Sequence, residues 1–138
     1  MSRANRRISA AGFTLFAGFS GIAAGSLGIR LSEQPAWINF FDNLHWTSGT
    51  AAAAVLAWLG WLRSRGGDRE RTLFWFALGF TGYALGQITW DIQAAIGYAE
   101  FPSPSDMFYL WLGPGLCMGL LQEIRHGTLP QERQAVRL

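Results

Sequence analysis

Four apolar stretches, separated by short polar connections, constrain this chain more than any other feature of it. They cover residues 8–29, 44–62, 72–98 and 105–124. Each is close to the roughly 20 residues that a helix needs to cross about 30 Å of hydrocarbon. A water-soluble helical bundle needs a polar face on every helix at 3.6-residue spacing, and the first two stretches have none. The second and third are diluted by alanine and glycine, and the third also holds Thr89 and Asp91. Only 14% of the 138 residues are charged, against about 25% in an ordinary soluble domain.

The arginines then orient the segments. Arg3, Arg6 and Arg7 precede the first, Arg63, Arg65, Arg69 and Arg71 join the second to the third, and Arg125, Arg133 and Arg137 follow the fourth. The other two connections, SEQPAWINFFDN and AEFPSP, carry acids and no arginine. Cytoplasmic loops are the basic ones, so both termini and the middle loop are expected inside. Arg30 alone falls on the outer side, close enough to a helix end to snorkel. Trp37, Trp46, Trp90 and Trp111 map towards the outer interface and Trp58, Trp61 and Trp75 towards the inner one, as aromatic belts do. A cleaved signal peptide is the competing reading of the first stretch, but its apolar run is long and no A-x-A site follows. The expected fold is therefore an all-α integral membrane bundle of four transmembrane helices over residues 1–124, with a short disordered cytoplasmic tail at 125–138. The expected location is a bacterial inner membrane, with the lipid bilayer as first partner and no nucleic acid.

Small residues recur at four-residue spacing: Gly21 and Gly25, Gly49, Ala53 and Ala57, Gly82 and Gly86, Gly115 and Gly119. Such pairs let helix backbones approach closely, which predicts internal packing, with a homo-oligomer interface as the alternative. Pro114, between two glycines, predicts a kink or local unwinding in the fourth segment.

No soluble-enzyme motif is present: no G-x-S-x-G, P-loop or H-E-x-x-H. Gly66-Gly67-Asp68 lies in a short basic turn that cannot supply the α/β domain a nucleotide-cyclising site requires. Cys117 is the single cysteine, which excludes an intrachain disulfide and a cysteine metal cluster and reads as a small packing residue. His45 could join Asp42, Glu100 and Asp106 around a divalent ion. A lone interfacial histidine is more often a satisfied polar group, and haem would need a second in-membrane histidine. Neither metal nor cofactor is assigned.

The polar residues of the third and fourth segments carry more. Tyr83, Gln87 and Asp91 are four apart and share one helix face. A carboxylate inside a span faces a bundle interior or a wet cavity, so Asp91 is either a hydrogen-bonded strut or part of a pocket open to the periplasm. In GYAEFPSPSDMFYLW, residues 97–111, Pro104 suits the first helical position. Ser103 is then the N-cap and Asp106 the third residue of a capping-box variant. Phe108, Tyr109 and Trp111 crowd the interface directly after the acid.

ALGQITWDIQ, then FPSPSDMFYLW followed by GPG, resembles the multi-pass N-terminal regions of bacterial signalling proteins, which are membrane sensor segments joined to GGDEF or EAL domains or to histidine kinases. Trp90, Pro102, Pro104, Ser105, Asp106, Phe108, Tyr109, Leu110 and Pro114 occupy comparable places, with Ser105 where alanine is usual. The resemblance covers about residues 79–114. It implies a signal-input module without the output domain, so cyclase, phosphodiesterase and kinase activities do not carry over. The expected role is a non-catalytic sensor that relays a periplasmic or intramembrane cue to a cytoplasmic signalling partner. Its candidate sensing residues are Tyr83, Gln87, Trp90, Asp91, Asp106 and Tyr109. The alternatives are an accessory subunit of a larger membrane complex and a small oligomeric transporter lined by Tyr83, Gln87 and Asp91.

Overall fold

The computed structural model describes residues 3–98 and 100–127. The end of the expected tail, with Arg133 and Arg137, lies outside the described residues. The described chain is all-α, with five helical elements: α1 (Arg3–Leu31), α2 (Pro35–Ser64), α3 (Glu70–Ala95), α4 (Pro104–Tyr109) and α5 (Leu112–Gly127). Within α1, Ser9–Leu31 has a mean hydropathy of 1.4, and it is the one helix among the described residues long and apolar enough on its own to cross a membrane.

The helix limits differ from the apolar limits where local signals override hydropathy. α2 begins nine residues ahead of the apolar boundary at Leu44, so most of the expected outer loop is helical. Pro35 opens it after the extended residue Gln34 (φ −88°, ψ 128°), as suits a residue with no N–H to leave unpaired. Its 30 residues make a rod about 45 Å long, so its first turns stand beyond the apolar segment. α3 stops before Tyr98. Gly97 adopts φ +72°, the Tyr98 N–H reaches the Gln93 carbonyl at 2.9 Å, and the Gly97 N–H reaches the Ala94 carbonyl at 3.3 Å. This is a Schellman closure, which favours glycine at the left-handed position.

The fourth apolar segment is two helices. Pro114 has no N–H to give the Leu110 carbonyl, and the helix breaks at that point, between Tyr109 and Leu112. The Trp111 N–H turns back to the Phe108 carbonyl at 3.1 Å before regular bonding resumes with the Gly115 N–H on the Trp111 carbonyl at 3.1 Å. The expected unwinding is present, one turn ahead of the proline.

The helices form an open row and not a closed bundle: α1 packs on α2, α2 on α3, and α3 on both α4 and α5. Small residues set the close approaches. A Cβ on Gly25 would stand 2.7 Å from the Phe41 carbonyl oxygen and 2.8 Å from the His45 nitrogen, and one on Gly82 2.5 Å from the Trp111 Cβ. The closest backbone meeting joins α3 to α5, where a Cβ on Gly115 would lie 2.5 Å from the Gly79 Cα and 2.8 Å from its nitrogen. Among the described residues the buried apolar side chains are alanines alone, Ala54, Ala77 and Ala84. Many large apolar side chains point outward instead, with Phe13 at 72%, Phe19 at 69% and Leu110 at 73% exposure. Cys117, expected as a packing residue, is exposed.

The end of the molecule that holds the α2–α3 turn carries an aromatic cluster. Trp58 stacks edge-on against Trp61 at 5.1 Å and Phe74 at 6.1 Å, and its indole N–H donates to the Thr81 hydroxyl at 2.8 Å. The Arg65 guanidinium lies 5.1 Å over the Trp61 ring. Arg69 pairs with Glu123 of α5 at 3.0 Å. The Gly66-Gly67-Asp68 segment is a turn, held by the Gly66 N–H on the Glu70 carboxylate at 2.7 Å.

Candidate functional site

The opposite end holds the polar residues that the spacing put on one face of α3. Asp91 sits where the faces of α2 and α3 meet. One of its carboxylate oxygens accepts from the Thr47 hydroxyl of α2, and the other accepts from the Gln87 amide nitrogen at 2.8 Å, one turn earlier on α3. A carboxylate only accepts from these donors, which fixes the orientation of the Gln87 amide. The Gln87 carbonyl oxygen then accepts from the Tyr109 hydroxyl of α4 at 3.0 Å. Every donor in this strap points towards Asp91, so its charge polarises the whole chain of bonds. Gln87 is 6% exposed. Gly86 lets the Tyr109 ring lie against α3, since a Cβ there would stand 2.6 Å from the Tyr109 Cδ1. Tyr83 completes the packing, its ring centroid 5.3 Å from that of Tyr109.

Asp106 is engaged elsewhere. Its carboxylate accepts from the Ser103 N–H at 2.7 Å in the expected capping box of α4. Beside it, the Ser105 N–H donates to the Gln93 side-chain oxygen Oε1 at 3.2 Å, and the Ser103 and Ser105 hydroxyls lie 2.6 Å apart. Gln93 is 5% and Ser105 0% exposed, so Ser105 makes a buried polar contact. The Gln93 amide nitrogen has no hydrogen-bond partner among the described residues. Removal of the cap in Asp106→Ala is expected to lower stability by about 1 kcal/mol, with Asp106→Asn retaining part of it, as thermal unfolding followed by circular dichroism will read.

Beside the strap a cleft of about 730 Å³ opens between α2 and α3, lined by Asn39, Asp42, Asn43 and Thr47 of the first and Trp90 and Asp91 of the second. Of the six candidate sensing residues, Trp90 and Asp91 thus reach a cavity. Gln87, Tyr83 and Tyr109 form the wall that holds Asp91, and Asp106 holds a helix end. Hydropathy places Asn39 and Asn43 in a loop and gives them no role, and Asp42 enters the sequence reading only as a possible companion of His45, not of Asp91. The signal was there: positions 36, 40, 43 and 47 recur at helical intervals and run straight into the apolar segment.

His45 belongs to another interface. Its Nδ1 lies 2.9 Å from the Ser26 hydroxyl and 3.3 Å from the Ile22 carbonyl oxygen, both on α1. The carbonyl accepts only, so the tautomer that makes both contacts carries its proton on Nδ1. No group of three or more histidine, cysteine or acidic side chains converges among the described residues, so the arrangement of His45 with Asp42, Glu100 and Asp106 is not formed.

Comparison with protein-family models, with curated proteins and with solved structures found no match.

Proposed function

We propose that the chain is a multi-pass inner-membrane sensor module, with both termini cytoplasmic, that passes a cue from its outer end to a cytoplasmic signalling partner. The distribution of side chains supports the membrane setting. A protein folded in water hides its large apolar residues. Here the buried apolar side chains among the described residues are Ala54, Ala77 and Ala84, while Phe13, Phe16, Phe19, Leu27 and Leu31 are exposed, an arrangement expected where packing and not water exclusion joins the helices. The arginine asymmetry and the apolar α1 agree with it. The acid-bearing ends of α2, α3 and α4 then face the periplasm, and the Trp58–Trp61–Phe74 cluster faces the cytoplasm.

The single observation that carries the sensing role is the position of Asp91. It lines the cleft and also anchors the strap that joins α2, α3 and α4. A ligand that competes for its lone pairs loosens Thr47 or Gln87, and the row of helices changes its packing without any covalent chemistry. Such a switch needs only differential affinity for two packings. The resemblance of residues 79–114 to sensor segments of signalling proteins points the same way.

The test is co-purification of the full chain with a cytoplasmic kinase, cyclase or phosphodiesterase, together with the output phenotype of Asp91→Asn. Loss of a cue-dependent response in that variant, with unchanged membrane abundance, is the expected result. An unchanged response removes the sensing role. The open row favours a second reading, an accessory subunit of a larger membrane complex, because α1 offers Phe13, Phe16 and Phe19 to a neighbouring helix. Detergent-stable co-migration with one large assembly, and no signalling protein, would favour it.

A further inference from the structure

We infer that the cleft between α2 and α3 binds a small organic cation, an aliphatic amine or a guanidinium compound. The inference rests on the membrane sensor reading and names the ligand class of the same site. Three properties of the cleft carry it. The first is charge: Asp42 from α2 and Asp91 from α3 both line it, and no arginine does so among the described residues. The second is the acceptor set. Each Asp91 oxygen receives one hydrogen bond from the protein and keeps a further lone pair, and the Asn39 and Asn43 carbonyls add neutral acceptors beside the carboxylates. An ammonium or guanidinium group offers several N–H donors and no acceptor, which this lining complements. The third is the aromatic lining, since Trp90 and Phe40 both border the cleft and aromatic rings attract a cation.

Size and geometry separate this ligand from a bare metal ion. About 730 Å³ lies within the range of small-molecule sites, and no three acidic or histidine ligands converge on one point among the described residues. The helical extension of α2 ahead of Leu44 puts Asn39, Asp42 and Asn43 beyond the apolar segment, within reach of water. A cation arriving there meets Asp91 from the cleft, whose lining includes neither Gln87 nor Tyr109.

The probe is putrescine, whose two ammonium groups match two carboxylates, titrated calorimetrically into the full chain in detergent micelles. Saturable binding is expected. Asp42→Asn and Asp91→Asn should each weaken it about tenfold or more, and Trp90→Leu about threefold. Asp106→Asn, whose carboxylate serves the α4 cap, should leave affinity within about twofold. Asp42 is exposed and makes no strap contact, so its variant keeps the test valid if Asp91→Asn is destabilised. Absence of saturable binding, affinity unchanged in Asp42→Asn, or full displacement by equimolar calcium would each overturn the proposal. Because the titration uses the isolated chain, it does not depend on a signalling partner. Cue-dependent output that persists in a chain unable to bind putrescine overturns the ligand class and leaves the sensor reading standing. Putrescine binding with no output partner does the reverse.

Discussion

Gly115→Val is expected to separate α5 from α3 and to cost about 3 kcal/mol or more. The added Cβ would fall 2.5 Å from the Gly79 Cα, 2.8 Å from the Gly79 nitrogen and 3.0 Å from the Trp75 carbonyl oxygen. All three are backbone atoms of one regular helix, so no rotamer change relieves the overlap and the helices must move apart. That movement also withdraws the Gly119 contact with Phe76 and strains the Arg69–Glu123 pair at the same interface. Gly60 is the control, since a Cβ there meets nothing within 4 Å. Gly60→Ala should be neutral or stabilising by about 0.5–1 kcal/mol through the helix propensity of alanine. Unfolding in mixed micelles, followed by circular dichroism, compares the two. Equal midpoints for both variants would show that α3 and α5 do not meet at these glycines.

Asp91→Leu is expected to lower stability by about 2–3 kcal/mol, because two donors that it satisfies are left without their acceptor. Gln87 is buried and cannot turn to water, while Thr47 can fall back on its own helix. Thr47→Val removes one of the two bonds and should cost about 1 kcal/mol. The double variant should cost at least about 0.5 kcal/mol less than the sum, since the two substitutions delete a shared interaction. Strict additivity would mean that Thr47 and Asp91 do not hold α2 to α3. Tyr109→Phe provides the far end of the same measurement. It should couple to Gln87→Leu and not to Thr47→Val beyond what the intervening bonds transmit.

These two interfaces differ in how far the sequence revealed them. Glycine spacing pointed to close packing at Gly82, Gly86 and Gly115, and the helices do meet there. The spacing did not say that Gly79 is the partner of Gly115, because a four-residue repeat marks a face and not the opposite helix. Likewise Tyr83, Gln87 and Asp91 were legible as one face of α3, and Ser103, Pro104 and Asp106 as a helix start, from interactions within one turn. The kink near Pro114 was legible for the same reason, since a missing N–H acts on the carbonyl four residues back. Asn39 and Asn43 were hidden by hydropathy, which sees an outer loop wherever apolar residues thin out, although Pro35 and the helical spacing continue α2 through it, and Asp42 was legible only as a possible companion of His45.

Asp91 and Asp106 were expected together among the sensing residues, and the tertiary arrangement gives them separate tasks. Both acids lie at the same end of the molecule, yet Asp106 turns to its own helix start, and Asp42 shares the cleft with Asp91. By itself the sequence determined the helices, their caps and breaks, and which residues share a face, because each depends on contacts within three or four positions and on the helical period. Only the tertiary structure decided that the helices lie in an open row, that Thr47 reaches Asp91 across 44 positions, and that a cleft opens beside them. Those outcomes depend on which face of α2 meets α3. That choice is made by the close fit of small residues over the whole length of two helices, a sum of many weak contacts that no local pattern records.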